Sequence, residues 1–163
     1  MVKLRLNTQA VYDLIAEIPD PEIPVITIKD LGILRDVRVK HDTYTVTITP
    51  TYTACPAMKM IEDQIKKILV AKGIDKIKVE LTYEPAWTTD WLTEEAKAKL
   101  KKYGIAPPTR LACNKLFSTY EVVVCPRCNS KQTDLISRFG STACKALYIC
   151  KDCKETFDFF KCH

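Results

Sequence analysis

The sequence predicts an α/β (α+β) chain: a small helix-on-sheet domain followed by a C-terminal zinc ribbon. Two observations predict it. Along residues 8–104, stretches with apolar residues at helical spacing interleave with stretches in which apolar and polar residues alternate. Beyond residue 124, Cys125-Pro-Arg-Cys128 and Cys150-Lys-Asp-Cys153 enclose 21 residues, the arrangement of two metal-binding knuckles joined by a hairpin. A chain of 163 residues accommodates a domain of about 100 residues plus a small satellite. The expected division is therefore 1–104 for the first domain, 105–124 for a linker and 125–163 for the ribbon.

The elements follow in order. Val11, Leu14, Ile15 and Ile18 share one face of a first helix over 8–18, which Pro19 stops. Asp20-Pro-Glu-Ile-Pro-Val is a loop, because each proline biases its predecessor towards extended geometry. Val37 and Val39, then Tyr44, Val46 and Ile48, alternate with polar residues around His41-Asp42 as a hairpin. Pro56 suits a helix start, where its missing N–H is not needed, and Ile61, Ile65, Ile68 and Leu69 stripe that helix up to Gly73. Ile77, Val79, Leu81 and Tyr83 alternate as a third strand. Thr93 caps a last helix with Glu94 and Glu95 first and lysines late, matching the helix dipole; Gly104 ends it. In the ribbon, strands are expected over 134–139, 143–149 and 156–160.

Composition excludes several classes. A hydrophobic fraction of 47% and a charged fraction of 28% are globular values, and no run approaches the roughly 18 apolar residues of a membrane span. Met1-Val-Lys-Leu-Arg-Leu lacks the pattern of an export signal, so the expected location is the cytoplasm and a secreted disulfide framework is disfavoured. The net charge of +5 is uneven: residues 1–104 hold 16 Lys/Arg against 15 Asp/Glu, residues 105–163 nine against five. The basic residues of the ribbon are scattered singly, which reads first as solubility, with nucleic acid or an acidic protein as the alternatives.

Cys125, Cys128, Cys150 and Cys153 are the candidate zinc ligands, since two knuckles bring four thiolates to one tetrahedral ion. Asn129, directly after the first knuckle, tolerates the left-handed turn such a site often needs. Cys55 precedes Pro56 at a helix start, where amides and dipole favour a thiolate, so it is a candidate reactive or metal-binding thiol; the alternative is a buried small hydrophobe. Asp20, Glu22 and Asp30 lie in loops near element ends and are candidates to converge on it. A cysteine protease is disfavoured, because His41 and His163 are the only histidines. Cys144, Cys162 and His163 form a candidate second metal site, with disulfide formation or simple packing as alternatives. Cys113, in the linker, has no evident role, and Trp87 and Trp91 read as core.

Asp20-Pro-Glu-Ile-Pro, Asp30-Leu-Gly-Ile, Thr49-Pro-Thr-Tyr-Thr-Ala-Cys-Pro-Ala-Met58 and Pro85-Ala-Trp-Thr-Thr-Asp-Trp91 resemble the metal-sulfur cluster biosynthesis domain family. The tail from Phe139-Gly-Ser-Thr-Ala-Cys144 to Phe157-Asp-Phe-Phe-Lys-Cys-His163 narrows the resemblance to the accessory-protein family encoded with phenylacetyl-CoA epoxidase, the ring-activating oxygenase of aerobic phenylacetate catabolism. The resemblance implies a non-catalytic protein that helps to mature the iron–sulfur cluster of the epoxidase reductase or the di-iron site of its oxygenase. It implies Cys55 as the functional cysteine, with Asp20, Glu22 and Asp30 in the family's acidic motifs, holding iron or an iron–sulfur cluster transiently. The implied partners are the reductase and oxygenase components of the epoxidase. A homodimer is left open, and neither a membrane nor nucleic acid is expected.

Overall fold

The computed structural model describes residues 6–109 and 122–162 and divides into two compact units, Met1–Trp87 and Thr88–His163. In the first unit, helix α1 (Thr8–Ala16) is opened by Asn7, whose side chain accepts from the Ala10 N–H at 2.7 Å. Strands β1 (Leu34–Lys40) and β2 (Thr43–Ile48) pair antiparallel, helix α2 (Ala57–Ala71) crosses back, and β3 (Ile77–Leu81) pairs parallel with β2. The sheet order is thus β1-β2-β3, with the βαβ crossover that parallel pairing requires.

Each helix forms where the apolar spacing dictates. Ile61, Ile65 and Leu69 fall on one face of α2 and are fully buried, each side chain contributing about 2–3 kcal/mol of transfer free energy. They share a core with Val11 and Ile15 of α1, Val46 and Ile48 of β2, and a run of buried isoleucines from the loop after α1: Ile23, Ile26, Ile28 and Ile33. That loop is a folded element in its own right. Asp20 N–H bonds to Ile26 O at 2.9 Å, Ile28 N–H to Ile18 O at 2.9 Å, and Pro19 bridges Thr27. Trp87 is buried as expected, its Nε1–H donating to Leu31 O at 2.7 Å.

The second unit holds a 3-10 turn (Thr89–Trp91), helix α3 (Glu94–Tyr103) and strands β4 (Ile105–Ala106), β5 (Thr133–Ser137), β6 (Lys145–Cys150) and β7 (Thr156–Phe160). Thr93 caps α3 by accepting from Ala96 N–H, and Gly104 ends it at φ 98°, the left-handed value that glycine adopts without strain. The four strands form one sheet in the order β4-β7-β6-β5. Helix α3 and β4 thus fall in the second unit. β4 pairs parallel with β7, so the chain just after α3 already belongs to the ribbon sheet, and α3 groups with it. Residues 110–121 of the expected linker, with Cys113, lie outside the described residues, as does His163. No helix among the described residues is long and apolar enough to cross a membrane.

Candidate metal centre and candidate transfer thiol

The two ribbon knuckles are near-copies of one another. Asn129 N–H bonds to Cys125 O and Lys154 N–H to Cys150 O, both at 3.0 Å, closing each CxxC turn on its first cysteine. Cys125 N–H then donates to Ser130 O at 2.8 Å and Cys150 N–H to Glu155 O at 2.9 Å. The residue after each knuckle is left-handed, Asn129 at φ 62° and Lys154 at φ 64°. Only Asn129 was readable in advance, because lysine carries no intrinsic preference for that region and accepts it here to complete the turn. Ser130 Oγ donates to Asp152 and ties one knuckle to the other.

This geometry brings all four predicted sulfurs together, within 4.8 Å of one another. Across the knuckles, Cys125 Sγ lies 3.7 Å from Cys153 Sγ and Cys128 Sγ lies 3.5 Å from Cys150 Sγ. A tetrahedral zinc with bonds of about 2.3 Å separates its sulfurs by roughly 3.8 Å, so the donor set fits that ion in number, chemistry and spacing. The Cys153 N–H draws the Cys150 thiol down to about 6 against the opposing effect of burial, with further help from the Asp152 N–H. Amides that stabilise a thiolate also support it as a ligand.

The other candidates separate. Cys162 is disulfide-bonded, which withdraws its sulfur from the thiolate chemistry of a second metal site. Cys144 is a buried cysteine outside any disulfide, its Sγ 3.0 Å from Thr142 Oγ1. Among the described residues, no second group of three or more ligand-type side chains closes to metal-binding distance.

Cys55 stands half-buried just before α2, and its carbonyl accepts from Met58 N–H at 3.3 Å as the helix begins. Ala54, immediately before it, is left-handed at φ 63°, a conformation that costs a residue with a Cβ about 1 kcal/mol. The thiol departs from the expected thiolate. Burial pushes it above the usual cysteine value, and the charges of Glu22 and Asp20 push the same way, outweighing the Ala57 N–H and the Tyr52 side chain that stabilise its anion. The sequence located the helix start correctly, but the opposing burial arises from packing that the sequence pattern does not encode.

Two of the three expected carboxylates, Glu22 and Asp20, thus bear on Cys55. Both aspartates also hold the loop. Asp20 Oδ1 accepts from Glu22 N–H at 2.9 Å and Ile23 N–H at 2.8 Å, while Asp30 Oδ2 accepts from Thr27 N–H at 3.0 Å and Thr27 Oγ1 accepts from Asp30 N–H at 3.1 Å. Tyr52 is the neighbour that sequence reasoning missed, because nothing in Tyr-Thr-Ala-Cys fixes which side chain turns back to the sulfur.

Known proteins fit this two-part description. Residues 8–81 match the family described as iron-sulfur cluster assembly protein, and residues 111–161 match the PaaD zinc beta ribbon domain. A provisionally named component of 1,2-phenylacetyl-CoA epoxidase from Escherichia coli is 47% identical over 93% of this chain and 91% of its own. The chain belongs to the PaaD family of phenylacetyl-CoA epoxidase components. An Fe-S protein maturation auxiliary factor of Porphyromonas gingivalis is 45% identical over 50% of this chain and 78% of its own. A crystal structure of a domain of unknown function, DUF59, from Bacillus anthracis superimposes with a TM-score of 0.51 at 27% identity, covering 57% of this chain and 90% of that one. These last two each match only about half of this PaaD-family chain, whereas the Escherichia coli relative matches nearly all of it.

Proposed function

We propose that the chain is a non-catalytic accessory factor that carries iron or an iron–sulfur cluster transiently on Cys55 during maturation of phenylacetyl-CoA epoxidase. One observation carries the reading: a half-buried thiol at the opening of α2, with the charges of Asp20 and Glu22 bearing on it, inside the segment that matches the iron–sulfur assembly family. The chemistry suits transfer, because one thiolate with carboxylates makes a weak, open ligand set whereas four thiolates trap a metal. The negative charges that keep the proton on sulfur also attract a cation, and an arriving cation displaces that proton. Asp20 serves with Glu22 beside the sulfur, and Asp30 serves by fixing the loop. Zinc on Cys125, Cys128, Cys150 and Cys153 supplies folding energy to the ribbon, which docks the client: the reductase with its iron–sulfur cluster or the oxygenase with its di-iron site. The maturation-factor name of the Porphyromonas gingivalis relative supports the iron–sulfur half of this reading, and the epoxidase name of the Escherichia coli relative supports the other half.

The test is anaerobic transfer. Protein loaded with ferrous iron is mixed with metal-free reductase or oxygenase, and the iron content of the re-isolated client is measured. The Cys55→Ala variant should transfer nothing while keeping one zinc per chain, and equal transfer by that variant would sink the mechanism. The name of the Escherichia coli relative favours a second reading, a permanent structural component of the oxygenase. Gel filtration at high dilution separates the two, since a permanent component stays with the oxygenase and a maturation factor falls away.

A further inference from the structure

The outer strand of the ribbon sheet breaks the pattern of its neighbours. In β6 and β7 Ala146, Tyr148, Phe157 and Phe159 are buried and Leu147 and Ile149 half-buried, and Tyr148, Phe157 and Phe159 form an aromatic cluster with the first cysteine of each knuckle. In β5 three consecutive residues, Asp134, Leu135 and Ile136, all face solvent. Leu135 is 47% exposed, Ile136 51%, and Phe139 in the following turn 67%. A register shift between Leu135 and Ser137 leaves Ile136 as the extra residue of a bulge. A bulge re-aims side chains and blocks strand addition at an edge, so these residues are held out as a side-chain surface and not as a pairing template.

The turn that follows is fixed by a clasp. Asp158 accepts from Ser141 N–H at 3.3 Å and Ser141 Oγ at 2.6 Å, and it faces the buried Lys145 Nζ at 3.9 Å. Gly140 lies so close that a Cβ there would stand 2.2 Å from Asp158 Oδ1. Lys161 Nζ sits 4.8 Å from the centre of the Phe139 ring and donates to Arg138 O at 3.2 Å. The ring is therefore held in place before any partner arrives, which reduces the ordering cost of association. The charges around the patch leave a positive excess. Lys151 pairs with Asp134, but no carboxylate pairs with Arg138 or Lys161 among the described residues.

We propose that Leu135, Ile136 and Phe139, flanked by Arg138 and Lys161, form the face that docks an acidic protein surface with an apolar centre. The inference rests on the reading above that the ribbon engages a client, and it names the surface and the partner's chemistry. A preorganised aromatic with adjacent aliphatic residues is the composition of an interface centre, and the unpaired cations form its rim. Nucleic acid fits less well, because Leu135 and Ile136 offer phosphates nothing.

Fluorescently labelled full-length protein would be titrated with purified reductase and, separately, with purified oxygenase of phenylacetyl-CoA epoxidase at several salt concentrations. Wild type should bind one of them, more weakly as salt rises. The Ile136→Ser/Phe139→Ser double variant should lose at least about tenfold in affinity, and Arg138→Glu/Lys161→Glu should lose a similar factor together with the salt dependence. All variants should keep one zinc per chain and the iron uptake of wild type. Variants that bind as wild type overturn the face and leave the maturation reading standing; wild type that binds neither client overturns both. Loss of duplex DNA binding, or of a dimer seen by sedimentation, confined to the face variants would overturn the acidic protein partner.

Discussion

The molecule holds two sulfur sites with opposite designs. In the ribbon, four thiols meet within 4.8 Å, their knuckles closed by paired backbone hydrogen bonds and left-handed turns. In the first unit a lone thiol stands half-buried, held protonated by burial and by two carboxylates. The difference teaches that the surroundings of a cysteine, more than the cysteine itself, decide how readily its sulfur gives up a proton. At Cys150 amides turned towards the sulfur favour the thiolate, whereas at Cys55 burial and nearby negative charge outweigh such an amide and favour the thiol.

The largest expected effect is on the closed site. Structural zinc in small domains contributes apparent free energies on the order of 10–16 kcal/mol, more than a ribbon of this size gains from its own core. Chelation, or Cys150→Ser, should therefore unfold the ribbon while the core of the first unit persists. Amide hydrogen exchange on the full chain checks this: β6 and β7 should lose protection while Ile61, Ile65 and Leu69 keep theirs. Uniform loss would mean that the two units are not independent in stability.

A smaller effect sharpens the picture of the ribbon. Gly140→Ala drives a methyl into Asp158 and disturbs the partner of a buried lysine, so it should destabilise by about 2–4 kcal/mol. Gly73→Ala is the control. Nothing lies within 4 Å of its would-be Cβ, and only its φ of 79° opposes the change, for about 1 kcal/mol. Thermal melts of the two variants give the comparison, and equal losses would remove the clasp as a special feature.

The smallest effect concerns the lone thiol. Its raised value means less thiolate than an ordinary cysteine at the same pH, so alkylation of Cys55 by iodoacetamide should be slow near neutrality and climb without a plateau until the pH passes 9. Mass spectrometry of the Cys55 peptide follows the rate. A plateau below pH 8 would reverse the sign of the surroundings inferred here.

Much of this was legible in the residues. Ile61, Ile65 and Leu69 announced α2, the two CxxC pairs announced the cluster of four sulfurs, and Asp20 and Glu22 were candidates for the neighbourhood of Cys55. What stayed hidden depended on packing at a distance. The burial that outweighs the helix-start amide at Cys55 comes from how the loop around it folds, and alternation of residues does not encode that. β4 is two residues long, with no periodicity to read, and its partner lies some fifty positions away. The exposure of Leu135 and Ile136 is invisible in a run that reads simply as strand.

That two-residue strand also sets where the chain tolerates being cut. β7 would be the outer strand of the ribbon if β4 were not hydrogen-bonded along it. A fragment beginning at 111, where the family match to the ribbon starts, strips that hem and leaves β7 with bare amides and carbonyls, an invitation to fibrillar self-association. One beginning at Thr88 keeps the seam sewn, and is the piece to express when the ribbon is wanted alone.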